Sequence, residues 1–112
     1  MDKFGLLSSG SSITFKAHLE HLDPQRKELM LELRRFAKSL GANVIEEVRP
    51  HRVVYAKTLT FRTFLDIEPA RDRLVIEIRN ERGEPPARLE VTEQSSLEEA
   101  ETQIAQAYEK IR

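Results

Sequence analysis

The spacing of hydrophobic residues changes twice along the chain and predicts a helical, an extended and a second helical part. From residue 24 to residue 40 the apolar side chains recur on one helix face. Asp23 predicts the helix start as an N-cap, and Pro24 suits the first turn because it has no N–H to leave unbonded. Gly41 predicts the end, in a left-handed cap. The apolar stripe consists of Leu29, Leu33, Phe36, Ala37 and Leu40.

A weaker pattern precedes this helix. Residues 1–12 contain two glycines and four serines without periodic apolar positions, so we expect a flexible segment. The stretch "ITFKAHLEHL" then places Phe15, Leu19 and Leu22 on one face of a first helix. The remaining residues, 13–112, are predicted to form a single domain, since this length can bury a substantial core.

Between residues 43 and 92 the hydrophobic period becomes two, which is typical of strands. In the third run, "TFRTFLDIE", strict alternation puts Leu65 and Ile67 on one face and Phe64 and Asp66 on the other. The short connections predict an antiparallel meander with one buried and one wet face. The predicted strands are "NVIEEV", "RVVYAKT", "TFRTFLDIE", "RLVIEI" and "ARLEVTE".

The chain closes with a second strong helical pattern. Ser96 and Glu99 have the spacing of a capping box, and an apolar stripe runs from Leu97 to Ile111. The complete order predicts an α+β fold: an antiparallel four- to five-stranded meander sheet, with two N-terminal helices and one C-terminal helix packed on one face.

Composition narrows the classes of function. The chain has 112 residues, 39% of them hydrophobic and 33% charged, with a net charge of −1 and no cysteine. This balance argues against a strongly basic nucleic-acid binder, which needs clustered Lys and Arg. No apolar run approaches the ~20 residues of a membrane span. The N-terminus lacks the apolar core of a secretory signal, so we expect a cytoplasmic protein.

Several phrases resemble an uncharacterised domain family whose members carry the label "predicted transport protein". The matching stretches are "HLEHLDPQRKELMLELRRFAKSLGANVIEEV", "VVYAKTLTFRTFLDIEPARDRLVIEIR" and "SSLEEAETQIAQAYEKI". The same domain is found appended to some restriction-endonuclease-like proteins. The resemblance covers residues 16–112 and implies a small α+β domain, no established chemistry and an association with DNA-processing proteins. One departure is the short "NERGEPPA", where relatives carry a longer stretch with a His and glycines; a family ligand loop there would be missing.

The hairpin "FLDIEPARDRLVIEIRN" raises the question of catalysis. Asp66 and Glu77 fall on one face, as a two-carboxylate Mg²⁺ site of a hydrolase requires. However, Arg79 stands where metal-dependent nucleases have a Lys, and an arginine holds its proton too tightly to activate water. We therefore favour a solvated face of paired charges and predict no catalytic residue.

Histidine and serine offer no stronger chemistry. His18 and His21 are spaced i, i+3, but they match no known zinc motif, and only His51 remains as a third histidine. We read them as surface histidines and predict neither a metal site nor a cofactor. The serines of the N-terminal segment lack a nucleophile elbow.

The predicted binding site is the polar sheet face. Phe64 would be an exposed aromatic anchor among arginines, namely Arg62, Arg73, Arg79 and Arg88. Such a face suits a protein partner or self-association through a modest apolar patch. It also suits single-stranded nucleic acid, whose bases stack on aromatic side chains. The alternative in which Phe64 tucks under the loop at Pro85-Pro86 or under the N-terminal segment stays open. The sequence thus predicts a non-catalytic interaction module, with a nucleic-acid accessory domain as the alternative and a metal-dependent hydrolase as a remote one.

Overall fold

The structure, a computed structural model, describes residues 14–57, 62–79 and 84–111. The predicted flexible segment 1–12 and the first two residues of the turn "RGEPP" lie outside these residues. The elements in chain order are α1 (Phe15–Leu19), α2 (Pro24–Ser39), β1 (Val44–Val48), β2 (Val53–Lys57), β3 (Arg62–Ala70), β4 (Arg73–Ile78), β5 (Ala87–Val91) and α3 (Gln94–Lys110).

The five strands form one antiparallel sheet in the order β1-β2-β3-β4-β5. Each strand pairs with its neighbour in sequence, because the connections between them are too short to cross over. The predicted α+β meander with helices at both ends of the chain is confirmed.

The helix termini follow their capping residues, with two corrections. The Asp23 carboxylate accepts the backbone N–H of Arg26 at 2.9 Å, so this predicted N-cap is confirmed. The helix α3 begins two residues before Ser96, with Glu93 as N-cap. The hydroxyl of Ser96, at the third helical position, accepts the backbone N–H of Glu93 at 3.1 Å.

Gly41 is the second correction. It follows the C-cap Leu40, but its φ lies outside the left-handed region, so conformational freedom does not explain it. The reason is space, since a Cβ atom on Gly41 would overlap the hydroxyl of Tyr108 in α3. Gly41 therefore lets α3 lie close to the end of α2.

One hydrophobic cluster holds the helices against the sheet. The helices contribute residues such as Leu33 and Ile104, and the central strands contribute Ile67 and Ile76, all of them fully buried. Because the period of a strand is two, this cluster takes only one face of the sheet, which we call the helix side.

A β-bulge interrupts the alternation in β3. The register runs from Tyr55 opposite Leu65 to Ala56 opposite Thr63, so Phe64 is an extra residue without a partner in β2. A bulge of this kind lets two consecutive residues face the same side. Phe64 and Leu65 are both fully buried, and Phe64 packs edge-to-face on Tyr108 with ring centroids 5.2 Å apart.

Candidate functional site

The face of the sheet opposite the helix side, here called the open face, carries no helix of the described residues. Its central row runs across all five strands through register partners: Glu47, Val54, Asp66, Glu77 and Arg88. A second row contains Glu68, Val75 and Glu90, and Arg52 lies at its end, just before β2. Val54 is buried and Val75 is half-buried, so what these residues present on the open face is mainly charges of both signs.

Arg52 and Asp66 form the most buried ion pair of the central row. The guanidinium donates to Oδ2 of Asp66 at 2.9 Å and lies 3.9 Å from Oε1 of Glu68. The hydrogen bond to Asp66, followed by the attraction of its charge, raises the pKa of Arg52 above its ordinary value. Asp66 is only 7% exposed, so its carboxylate is largely screened from solvent.

The neighbouring carboxylate, Glu77, lies between two arginines. Its oxygens are 3.5 Å from Nη1 of Arg88 and 3.8 Å from Nη2 of Arg79. Arg73 is also paired, with Asp72 at 3.1 Å and Glu90 at 3.6 Å. The predicted arginines at 73, 79 and 88 therefore do share one face, and each lies beside a carboxylate.

Phe64 is not on this face, and its predicted role as an exposed anchor is wrong. Its exposed fraction is 0%, and it contacts Tyr108 on the helix side. Its burial agrees with the alternative in which it is covered, and the ring on which it packs is Tyr108 of α3; the N-terminal segment that this alternative also named lies outside the described residues. The bulge is the reason, since strict alternation from Leu65 would have turned Phe64 outwards.

Arg62 also leaves the predicted group. Its register partner is Lys57, which lies on the helix side. The Lys57 ammonium donates to the carbonyl of Ile111 at 2.8 Å and lies 4.2 Å from the ring centroid of Tyr108. Register partners share a face, so Arg62 belongs to the helix side rather than to the arginines of the open face.

The predicted carboxylate pair of the hairpin does come together. Asp66 and Glu77 are register partners on the open face. Each is neutralised by arginine, which favours the paired charged face over a Mg²⁺ site. Within the described ranges, no group of three His, Asp or Glu side chains is placed to hold a metal ion.

The three histidines converge, which the sequence did not indicate. His18, His21 and His51 line one cavity of about 450 Å³, together with Glu68 and Arg71. His18 is buried rather than a surface residue. Its Nε2 donates to the backbone carbonyl of Arg49 at 2.7 Å, which fixes α1 to the β1–β2 turn.

A charged cluster on the helix side was missed entirely. Glu46 accepts two hydrogen bonds from Arg34, at 2.9 and 3.1 Å, and one from the hydroxyl of the fully buried Tyr55 at 2.7 Å. Lys38 lies 3.6 Å away. The only signal in the sequence was the alternation of β1, which places Glu46 and Glu47 on opposite faces of the sheet. It could not identify the partners of Glu46, because they come from α2 and β2.

Burial and hydrogen bonding shift the pKa of Glu46 in opposite directions. Burial raises the pKa of Glu46, but the hydrogen bonds from Arg34 and Tyr55 and the nearby positive charges lower it more strongly, so the net pKa lies below the ordinary value. Burial, with the Glu46 charge beside it, raises the pKa of Tyr55. The cluster is therefore a neutral phenol and a fixed carboxylate that join α2 to β1 and β2.

No protein-family model, curated protein or solved structure matches the chain. The resemblance to the family labelled "predicted transport protein" therefore stays a prediction. None of the described helices is long and apolar enough to cross a membrane.

Proposed function

We propose that this chain is a non-catalytic interaction module whose open face binds a protein partner. The observation that carries the proposal is the ion-paired pattern of that face. Asp66 and Glu77, in the middle of the sheet, are each matched by arginines, and the half-buried Val75 lies among the charges. Mixed charges in fixed positions are typical of surfaces that select one protein partner and fix its register.

The same pattern favours a protein over a nucleic acid. Binding to phosphates requires a surplus of positive charge, whereas Arg73, Arg79 and Arg88 each lie beside a carboxylate. Among the described residues, none of the aromatic side chains lies on the open face, because Phe64 is buried. The platform on which single-stranded bases would stack is thus missing from the described face.

The ion pairs also support a role without catalysis. A carboxylate that holds Mg²⁺ has to turn its oxygens to the ion. The oxygens of Asp66 and Glu77 are directed to Arg52, Arg79 and Arg88 instead. A metal-dependent hydrolase would have to break these pairs before it could bind an ion.

Site-specific photocrosslinking in cells tests the proposal. A photoreactive amino acid replaces Glu68, which is exposed on the open face, or Glu109, which is exposed on α3 and serves as the matched control. We expect a discrete adduct with a protein from position 68 only, and its loss when Arg79→Glu reverses a charge of the open face. Equal adducts from both positions, or an adduct at 68 that survives Arg79→Glu, would contradict the proposal.

Two further assays separate the alternatives. A labelled single-stranded oligonucleotide, titrated at low and moderate salt, should not bind; salt-sensitive binding that is lost after Arg73→Ala, Arg79→Ala and Arg88→Ala would instead support the nucleic-acid accessory domain. Metal-dependent cleavage of that oligonucleotide, abolished by Asp66→Ala and by Glu77→Ala, would support the hydrolase.

A further inference from the structure

Among the described residues the sheet ends in two edge strands, whose outer backbone groups are not paired within the sheet. On the described part of the chain, β1 and β5 each pair with one neighbour only. The outer side of an edge strand presents N–H and C=O groups that can pair with another strand, so natural proteins guard their edges with charges. The two edges of this sheet differ in how well their side chains suit pairing with the same strand of a second copy of the chain.

The strand β5 has a self-complementary sequence. Arg88 and Glu90 are well exposed on the open face. Ala87 and Leu89 lie on the helix side, half-buried at the margin of the core, and Val91 is fully buried there. Read in either direction, the strand gives an apolar residue, a charge, an apolar residue, the opposite charge and an apolar residue.

We infer that a second copy of this chain pairs its β5 antiparallel to the first, centred on Leu89. A two-fold axis through Leu89 brings Arg88 opposite Glu90 of the partner copy, and it does so twice. Opposite charges directly across an antiparallel pair stabilise it. On the helix side, Ala87 faces Val91 of the partner copy and the two Leu89 side chains meet, so the half-buried margin of the core becomes covered.

The other edge is unsuited to the same contact. In β1 the central residue is Glu46, and a two-fold axis there would bring two carboxylates together. Like charges directly opposite destabilise a strand pair. The next pair would set the exposed Ile45 against Glu47. Charge complementarity therefore selects β5 as the dimer edge.

The dimer has a consequence for the open face. A two-fold axis perpendicular to the sheet keeps both open faces on the same side, so two five-stranded sheets join into one continuous sheet. The inference goes beyond the proposed function and does not depend on it, because the contact lies at the β5 edge. Position 68, used for crosslinking, is on β3 and is separated from this edge by β4.

Light scattering after size exclusion, over a dilution series from about 1 mM, gives the first test. We expect the wild-type chain to approach twice its 13.0 kDa mass at high concentration. Arg88→Glu places two negative charges on the edge and Glu90→Arg places two positive charges there, so each variant alone should remain monomeric. Glu47→Arg, a charge reversal on the other edge, is the matched control and should dimerise like the wild type.

Mixing the two monomeric variants is the decisive measurement. Every cross-strand pair between Arg88→Glu and Glu90→Arg joins opposite charges, so the mixture should form a heterodimer. The mixture also controls for effects within each chain. Arg88 lies near Glu77 and Glu90 lies near Arg73, so each substitution also changes an ion pair inside its own chain. A wild-type chain that stays monomeric, single variants that dimerise, or a mixture that stays monomeric would each overturn the inference. If one of the variants fails to fold, the wild-type dilution series by itself decides whether the chain dimerises.

Discussion

Glu46 and Glu47 are neighbours in β1, yet they lie in opposite environments. Glu46 is on the helix side, its side chain 12% exposed, and it accepts hydrogen bonds from Arg34 and Tyr55. Glu47 is on the open face, its side chain is 60% exposed, and it accepts a hydrogen bond from Arg49 at 2.7 Å. The same type of side chain therefore has two different roles: Glu46 joins a helix to the sheet, whereas Glu47 belongs to a solvated pattern of charges.

The difference extends to the whole sheet. On the helix side, close packing and hydrogen bonding fix each residue, so that Phe64, Tyr108 and Gly41 depend on one another. On the open face, charges pair both along a strand and across strands, and they keep much of their contact with water. Exposed pairs of this kind each contribute only about 0–1 kcal/mol. Stability should thus reside on the helix side, which leaves the open face free to serve recognition.

Phe64→Ala is the change that we expect to be most damaging. Truncating a fully buried phenylalanine removes its apolar surface and leaves a cavity, at a cost of about 3–5 kcal/mol. Val75→Ala, on the open face of the adjacent strand, is the control and should cost about 1 kcal/mol or less. Urea unfolding followed by circular dichroism measures both. Equal losses would show that Phe64 is not a core residue.

Glu46→Gln should cost about 2–3 kcal/mol at neutral pH. The change leaves the carboxylate's partners, Arg34 and Tyr55, with a neutral amide that cannot accept all of their hydrogen bonds. The matched control is Glu47→Gln, one residue along the same strand, which should change the free energy of unfolding by no more than about 0.5 kcal/mol. A control as damaging as the variant would refute the assignment of Glu46 to the helix side.

The pH dependence of this variant has a definite sign. The folded-state pKa of Glu46 is lower than its ordinary value of 4.5, so its ionised form contributes stability that is fully present above pH 4.5. That contribution is lost as the pH falls through the lowered pKa. The stability difference between wild type and Glu46→Gln should therefore shrink below pH 4.5. A difference that grows on acidification would contradict this coupling.

Gly41→Ala should destabilise the chain by about 1–2 kcal/mol, because the added methyl overlaps the hydroxyl of Tyr108. The opposite sign is the ordinary result where space allows, since alanine reduces the entropy of the unfolded chain. Tyr108→Phe removes the overlapping oxygen, so combining it with Gly41→Ala should recover part of the loss. Thermal unfolding of the two single variants and the double variant measures this coupling.

Arg52→Ala is expected to have the smallest effect, about 0.5–1 kcal/mol. It leaves the carboxylate of Asp66, little exposed, without its 2.9 Å partner. The control Arg79→Ala, whose closest carboxylate oxygen among the described residues is 3.8 Å away, should change the free energy of unfolding by nearly zero. Both should leave the helix side intact by circular dichroism. A loss above about 3 kcal/mol for Arg52→Ala would mean that the open face also carries the stability of the fold.

The patterns that predicted the fold correctly depend on interactions within a short stretch of the chain. Asp23 and Pro24 begin α2 because a cap and a first-turn proline act within a few residues. The period-two stretches became five strands in chain order because short connections allow only an antiparallel meander. The arginines at 73, 79 and 88 reached one face for the same reason, since alternation holds through β4 and β5.

What the sequence determined by itself is therefore the element order, the meander and the charges of the open face. Only the tertiary structure decided the positions of Phe64 and Arg62, because the bulge arises from the pairing of β3 with β2 and cannot be seen in either strand alone. The Glu46 cluster and the cavity with three histidines depend likewise on distant elements. Periodicity is a local property, whereas register and packing belong to the folded chain.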